Sequence, residues 1–315
     1  MRAECIRTIE ELALSDPRVI VVASDPAADF MPELAAKHPE RFLVEGVCEQ
    51  GLVGMSAGLA SEGYYPFFIT LSVFATRRCY EQLLLDFGLH QLAGCIVGYG
   101  GGLSYAPLGP THIAVDDIAL FSAIPGAAIL CPGEPAEAAQ LTRQALGHAG
   151  LSYMRMAGTT DHLPAARGEI VLGKGRVLAD SGSVLFVSCG AASLAVQSAL
   201  PLLRETGIDT SAVHIHTIKP LDAELIRRYA MGAKVIICVE EHRQTGGLAT
   251  AVLHALATAE RGIASMRFAS VGVDDAFPTG HGTHDELLQK YGITGAQLAE
   301  RARAMLSTLR EGKAA

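Results

Sequence analysis

Short apolar runs alternate with amphipathic stretches along almost the whole chain. Residues 19–23 (VIVVA), 65–71 (YPFFITL) and 93–97 (AGCIV) are continuous apolar runs, the pattern of strands buried on both faces. Residues 42–47, 127–130 and 152–156 read as further strands. Helical patterns separate them: an amphipathic start (MRAECIRTIEELALSD), a small-residue helix at about 50–61, a stretch at 73–82, one beginning near Val115-Asp116-Asp117, and one at 135–147. A loop-rich run at 157–174 interrupts the alternation. It resumes with strands expected at 184–188, 210–216, 234–240 and 265–271, and helices near 191–206, 222–231, 245–260 and 285–309. Strands alternating with helices imply mostly parallel sheets. The pattern predicts an α/β protein of two domains, 1–165 and 166–315, each a mostly parallel sheet flanked by helices. No internal sequence repeat relates the halves.

Composition narrows the function classes. The net charge is −8 with no basic run, which argues against nucleic acid as a partner. No apolar run is long enough to span a bilayer, and the charged N-terminal stretch does not read as a signal peptide. The seven cysteines (Cys5, Cys48, Cys79, Cys95, Cys131, Cys189, Cys238) show no CxxC or Cys–His spacing. Reduced thiols in a cytoplasmic protein are the expectation, with no metal site in this chain.

Four stretches carry candidate chemistry. Glu49 stands where a strand runs into the small-residue helix, among apolar neighbours. An unpaired buried carboxylate is costly there, although a helix start also favours one for its dipole. The helix carries Gly51, Gly54, Ser56, Ala57, Gly58 and Ala60, which suggests that another backbone or a cofactor comes close. Asp25 lies at the carboxyl end of the first strand, where ligands of open α/β sheets gather, or caps the segment after it. Phe74, Arg77 and Tyr80 are three apart and are expected on one helix face, as ordinary packing or as a platform for a flat heteroaromatic ring. A Gly/Pro-rich loop from Gly98 ends in Gly109-Pro110-Thr111-His112, which places His112 near a helix start.

Together these stretches resemble the thiamine diphosphate enzymes of the transketolase family. The motifs are EGVCEQGLVGMSAGLASEGYYPF, SVFATRRCYEQ, GPTH, HTIKPLD (216–222) and VEEHRQTGGLATAV (239–252), five in order over nearly the whole chain. The resemblance matches a pyrimidine-binding domain followed by the family's C-terminal domain. It implies that Glu49 activates the cofactor, that Phe74, Arg77 and Tyr80 line the aminopyrimidine, and that Asp25 lies near it. It makes His112 the substrate-facing histidine. The reaction implied is transfer of a two-carbon ketol unit from a ketose phosphate to an aldose phosphate.

The family's diphosphate- and metal-binding GDG…N motif is missing from this sequence. The resemblance therefore implies a partner chain that supplies it together with Mg2+ or Ca2+, in an α2β2 assembly that shares the cofactor. Three positions depart from the family. Leu108 stands where an Asp usually precedes GPTH, Gly100 where a histidine helps to bind substrate phosphate, and Gly158 where an arginine follows a strand, with Arg155 nearby. Leu108, Gly100 and His112 are thus the positions that bear on the donor. The alternatives are a 1-deoxy-xylulose-phosphate synthase-like enzyme, a β subunit of a 2-oxo-acid dehydrogenase, and a non-catalytic assembly subunit.

Overall fold

The computed structural model describes all residues except 25–28, 159–161, 165–168, 181, 259–265 and 312–315. The apolar runs form strands β1 (Val19–Ser24), β2 (Phe42–Glu45), β3 (Tyr65–Leu71), β4 (Gly94–Gly101), β5 (Ala128–Leu130) and β6 (Leu151–Ala157). The second half contributes β7 (Arg176–Asp180), β8 (Val184–Ser188), β9 (Thr210–His214), β10 (Thr217–Lys219), β11 (Val235–Arg243) and β12 (Arg267–Val273). Among the described residues they make two sheets, ordered β10-β5-β6-β4-β3-β1-β2 and β12-β11-β8-β9-β7. All pairings are parallel except β10 with β5 and β7 with β9. The chain is thus a two-domain α/β protein, as the alternation predicts.

Successive residues of a strand face opposite sides, and β1 shows the consequence. Ile20 and Val22 pack with Leu52, Phe68 and Phe121 on one side, while Val19 and Val21 pack with Cys5, Ile9 and Leu141 on the other. The first of these cores continues into the second domain through Leu185, Val187, Ile236 and Leu248. A separate layer, with Phe186, Ile237 and Leu298, covers the far side of the second sheet. No helix among the described residues is long and apolar enough to cross a membrane.

Several expected elements differ in extent, each for a local reason. The strand expected at 210–216 ends at His214, and Thr217–Lys219 then crosses to pair with β5 of the first sheet. The single helix expected at 285–309 is two, His284–Lys290 and Gly295–Glu311, because Gly292 takes a left-handed conformation (φ 74°). The half-exposed strand β7 lies at a sheet edge, where its mixed polarity gave no apolar run to read. The stretch expected to be helical at 73–82 breaks after Ser72–Thr76 and resumes at Tyr80–Gln82, followed by wider π-type turns at Leu83–Leu89. The expected boundary at 165/166 falls outside the described residues.

A buried polar cluster joins the domains beside β10. His214 Nε2 meets Glu137 Oε2 at 3.0 Å, and its Nδ1 meets the Ser193 hydroxyl at 2.7 Å. Arg176 Nη1 donates to Glu137 Oε1 at 3.0 Å and the Gly133 N–H donates to Oε2 at 2.7 Å. Burial alone pushes Glu137 up, but His214, the Gly133 N–H and the nearby His216 outweigh it and bring the carboxyl from 4.5 to about 2. Burial, then the neighbouring His214 ring, lowers His216 from 6.5 to about 4. Between those two values the unfolded chain binds a proton that the folded chain does not, so stability falls as pH drops from 6.5 toward 4. Glu137 acts with the same sign: its contribution is complete above 4.5 and is lost as pH falls toward 2. His216 is expected to contribute a loss on the order of 3 kcal/mol over its window. Urea unfolding across this range checks it, with a His216→Gln variant expected to show a flatter profile. Equal slopes in the two proteins would remove His216 as the cause.

Candidate functional site

Glu49 is the first residue of the helix Glu49–Ser61, reached by a tight turn at 46–48 after β2. Its side chain is 1% exposed and accepts a 2.7 Å hydrogen bond from Arg78 Nη1. That ion pair answers the burial of the charge. The guanidinium of Arg78 also lies over the Phe74 ring, 4.3 Å from its centroid. His112 meets the same ring edge-on at 5.4 Å between centroids. Glu49, Arg78, Phe74 and His112 therefore form one cluster at the carboxyl ends of the first sheet. At Gly51 and Gly58 of the helix a side chain would touch nothing in this chain.

The break in the helix after Thr76 separates the three residues expected on one face. Arg77 turns to the GPTH loop: its Nε donates to both oxygens of Asp116 at 3.0 and 2.9 Å, and Nη2 donates to the Ile113 carbonyl at 2.8 Å. Tyr80 packs half-buried against the core. Phe74 stays with His112 and with the Arg78 guanidinium that pairs with Glu49, while Arg77 serves the loop. Helical spacing could not separate the two adjacent arginines. Asp25 lies outside the described residues.

The second domain holds the loop that carries His112. Gly109 has φ 73°, and a Cβ there would crowd the His281 ring. His281 Nδ1 lies 3.3 Å from the Pro107 carbonyl. Glu241 Oε2 accepts from the Leu103 N–H at 3.0 Å and meets His284 Nε2 at 2.9 Å. Burial disfavours both charges, yet each outweighs it for the other, so Glu241 lies below and His284 above its ordinary value. The Arg243 N–H donates to the Val115 carbonyl at 2.9 Å. The sequence marked VEEH only as one of the motifs of the resemblance; its second glutamate positions this loop, a contact between residues 138 apart.

Leu108 ends a short turn at Ala106–Leu108 and is 51% exposed. Thr111 Oγ1 lies 2.9 Å from His112 Nδ1. Gly100 (φ 73°) lies beneath Tyr105, whose ring a Cβ would strike, so the glycine has a steric reason of its own. Gly100 and Gly158 line one cavity of about 450 Å³ with Tyr99, Ser104 and Tyr105. Burial raises the Tyr99 phenol to about 12, with Tyr105 adding to the shift. Arg155 is buried elsewhere: Nε donates to Asp117 at 2.7 Å and Nη2 to the carbonyls of Ala114 and Glu241 at 3.0 and 2.9 Å. It joins the two domains and does not line this cavity.

The donor set fits a flat nitrogen heterocycle. Glu49 offers a buried acceptor for one ring N–H, and Phe74 offers an aromatic face. Comparison with known proteins agrees in kind. Residues 1–157 match the family model for the transketolase pyrimidine binding domain, and 173–298 match that for the transketolase C-terminal domain. The chain is 32% identical over 309 residues to 1-deoxy-D-xylulose-5-phosphate synthase of Symbiobacterium thermophilum; the match covers 97% of this chain and 47% of that protein. It thus spans about half the length of this relative and of others of the same name. It is 31% identical over 289 residues to one of the subunits of apulose-4-phosphate transketolase from Phocaeicola vulgatus, with 91% of each chain covered. A solved split gene transketolase, described as an inactive β4 tetramer, superposes with a TM-score of 0.86 at 27% identity, covering 97% of this chain and 98% of that one. These matches run through both domains in the same order, and the chain belongs to the transketolase family, as its C-terminal section.

Proposed function

We propose that this chain is one subunit of a split transketolase that transfers a two-carbon ketol unit from a ketose phosphate to an aldose phosphate. The observation that carries the proposal is the buried Glu49 carboxylate beside Phe74 and His112. Thiamine diphosphate, when bound, supplies an electron sink for the carbon–carbon bond change. Glu49 holds and exchanges a proton at N1′ of the aminopyrimidine. Phe74 would offer its aromatic face to that ring, Tyr80 packs against the core, and Arg77 holds the loop that carries His112 through Asp116 and the Ile113 carbonyl. His112, with Thr111 at Nδ1, presents its other nitrogen to the donor's oxygens. The metal and the diphosphate tail fall to a partner chain that carries GDG…N, in an α2β2 assembly. The open Gly51 and Gly58 face, a relative named as a subunit, and a similar chain solved as an inactive β4 tetramer support a partner.

Mixing this chain with the partner, thiamine diphosphate and Mg2+ is expected to produce ketol transfer that neither chain shows alone. Full activity from this chain by itself would defeat the proposal. The 32% identity to 1-deoxy-D-xylulose-5-phosphate synthase favours a second reading in which pyruvate is the donor. Product analysis with pyruvate and with a ketose phosphate separates the two.

A further inference from the structure

We infer that Arg78 holds the place of the aminopyrimidine until the cofactor arrives, an inference that rests on the thiamine reading above. Two contacts define the residue. Its Nη1 donates to Glu49 Oε2 at 2.7 Å, and its guanidinium stands 4.3 Å from the Phe74 ring centroid. A guanidinium is flat, with N–H donors along its edge and faces that stack on aromatic rings. An aminopyrimidine that offers an N–H to Glu49 and a face to Phe74 makes the same two demands. Both groups need the same carboxylate and the same ring, so they compete.

The backbone allows the exchange. Arg78 lies in the turn at 77–79, between Ser72–Thr76 and Tyr80–Gln82, and its side chain is 39% exposed. It can swing outward without moving a helix or a strand. Arg77 beside it is fastened by Asp116 and the Ile113 carbonyl and has no such freedom. The arrangement also meets a need of the unassembled chain. A buried carboxylate without a partner is strongly unfavourable. Arg78 satisfies Glu49 before assembly, and the cofactor's N–H does so afterwards. A state closed by Arg78 must open for binding, which weakens the apparent affinity by the fraction that is closed.

The test uses Arg78→Met in the complex of this chain with its partner. Methionine keeps much of the apolar stem and removes the competing donor. Calorimetric titration with thiamine diphosphate in excess Mg2+ is expected to give a Kd about fivefold lower than that of the unchanged complex, the size set by a half-exposed ion pair. Arg78→Lys keeps the charge without the flat fork and should fall between. The second readout is thermal unfolding. Without cofactor the Arg78→Met complex should melt below the unchanged one, and saturating thiamine diphosphate should close that gap. Equal or weaker binding, or a gap that persists with cofactor, overturns the inference and makes Arg78 a permanent support of Glu49. If the unchanged complex binds no thiamine diphosphate, the cofactor reading falls and this inference with it. If it binds and Arg78→Met binds no tighter, only the role of Arg78 falls.

Discussion

Glu49→Gln in the assembled enzyme is expected to lower ketol-transfer turnover by about 10²–10⁴-fold, the range of positioned proton transfer. The reason is chemical. Glutamine has the shape of glutamate and keeps an acceptor oxygen, but it cannot exchange a proton. The site magnifies that difference, because the carboxylate is 1% exposed and no solvent base can take its place. The expected loss lies in kcat more than in KM, since the donor sugar does not touch this residue in the proposed arrangement. Steady-state kinetics with a ketose phosphate donor and an aldose acceptor check it. Unchanged carbon–carbon transfer would leave the proposed role of Glu49 without support and would favour a non-catalytic assembly subunit.

Arg155→Met is expected to destabilise the chain by about 3–5 kcal/mol, the usual result of removing one member of a buried ion pair. Arg155 Nε meets Asp117 Oδ2 at 2.7 Å, and both side chains are almost fully enclosed. The Tyr153 hydroxyl donates to the same carboxylate oxygen at 2.8 Å. Burial pushes Asp117 up, but the Arg155 guanidinium outweighs it and holds the carboxyl below its ordinary value. Taking the guanidinium away leaves that charge enclosed, removes a donor to the Glu241 carbonyl and leaves the Ala114 carbonyl to the Gly102 N–H at 2.9 Å. Because Glu241 belongs to β11 and Arg155 to β6, the domains should also loosen against each other. Denaturant unfolding of the single variant and of Arg155→Met with Asp117→Leu tests this, and the double variant should recover much of the loss. A single variant as stable as the parent would show that the pair carries no weight in joining the domains.

Much of this protein was legible before any coordinate. The buried strands announced themselves as apolar runs, and Glu49 stood out because a carboxylate at an apolar strand–helix junction needs a reason. GPTH was legible as a motif, and the loop that bears it does bring His112 to Phe74. The division of labour between Arg77 and Arg78 was not. Helical periodicity assumes an unbroken helix, and here the backbone turns at 77–79 and sends the two guanidinium groups to different carboxylates. The β10 crossing was equally hidden. Three residues of mixed polarity carry little signal, and their partner strand lies far away in sequence.

What the sequence alone determined were local matters: strand and helix alternation, the two-domain α/β class, the acidic side chain at the head of a glycine-rich helix, and the missing GDG. Each follows from residues close together along the chain, where period and propensity act. Tertiary structure decided which groups meet. It paired Glu49 with Arg78, fastened the His112 loop to Glu241 and His281, and drew β10 across to the first sheet. Those choices depend on burial and on charge brought together over long separations in sequence, and no local pattern encodes them.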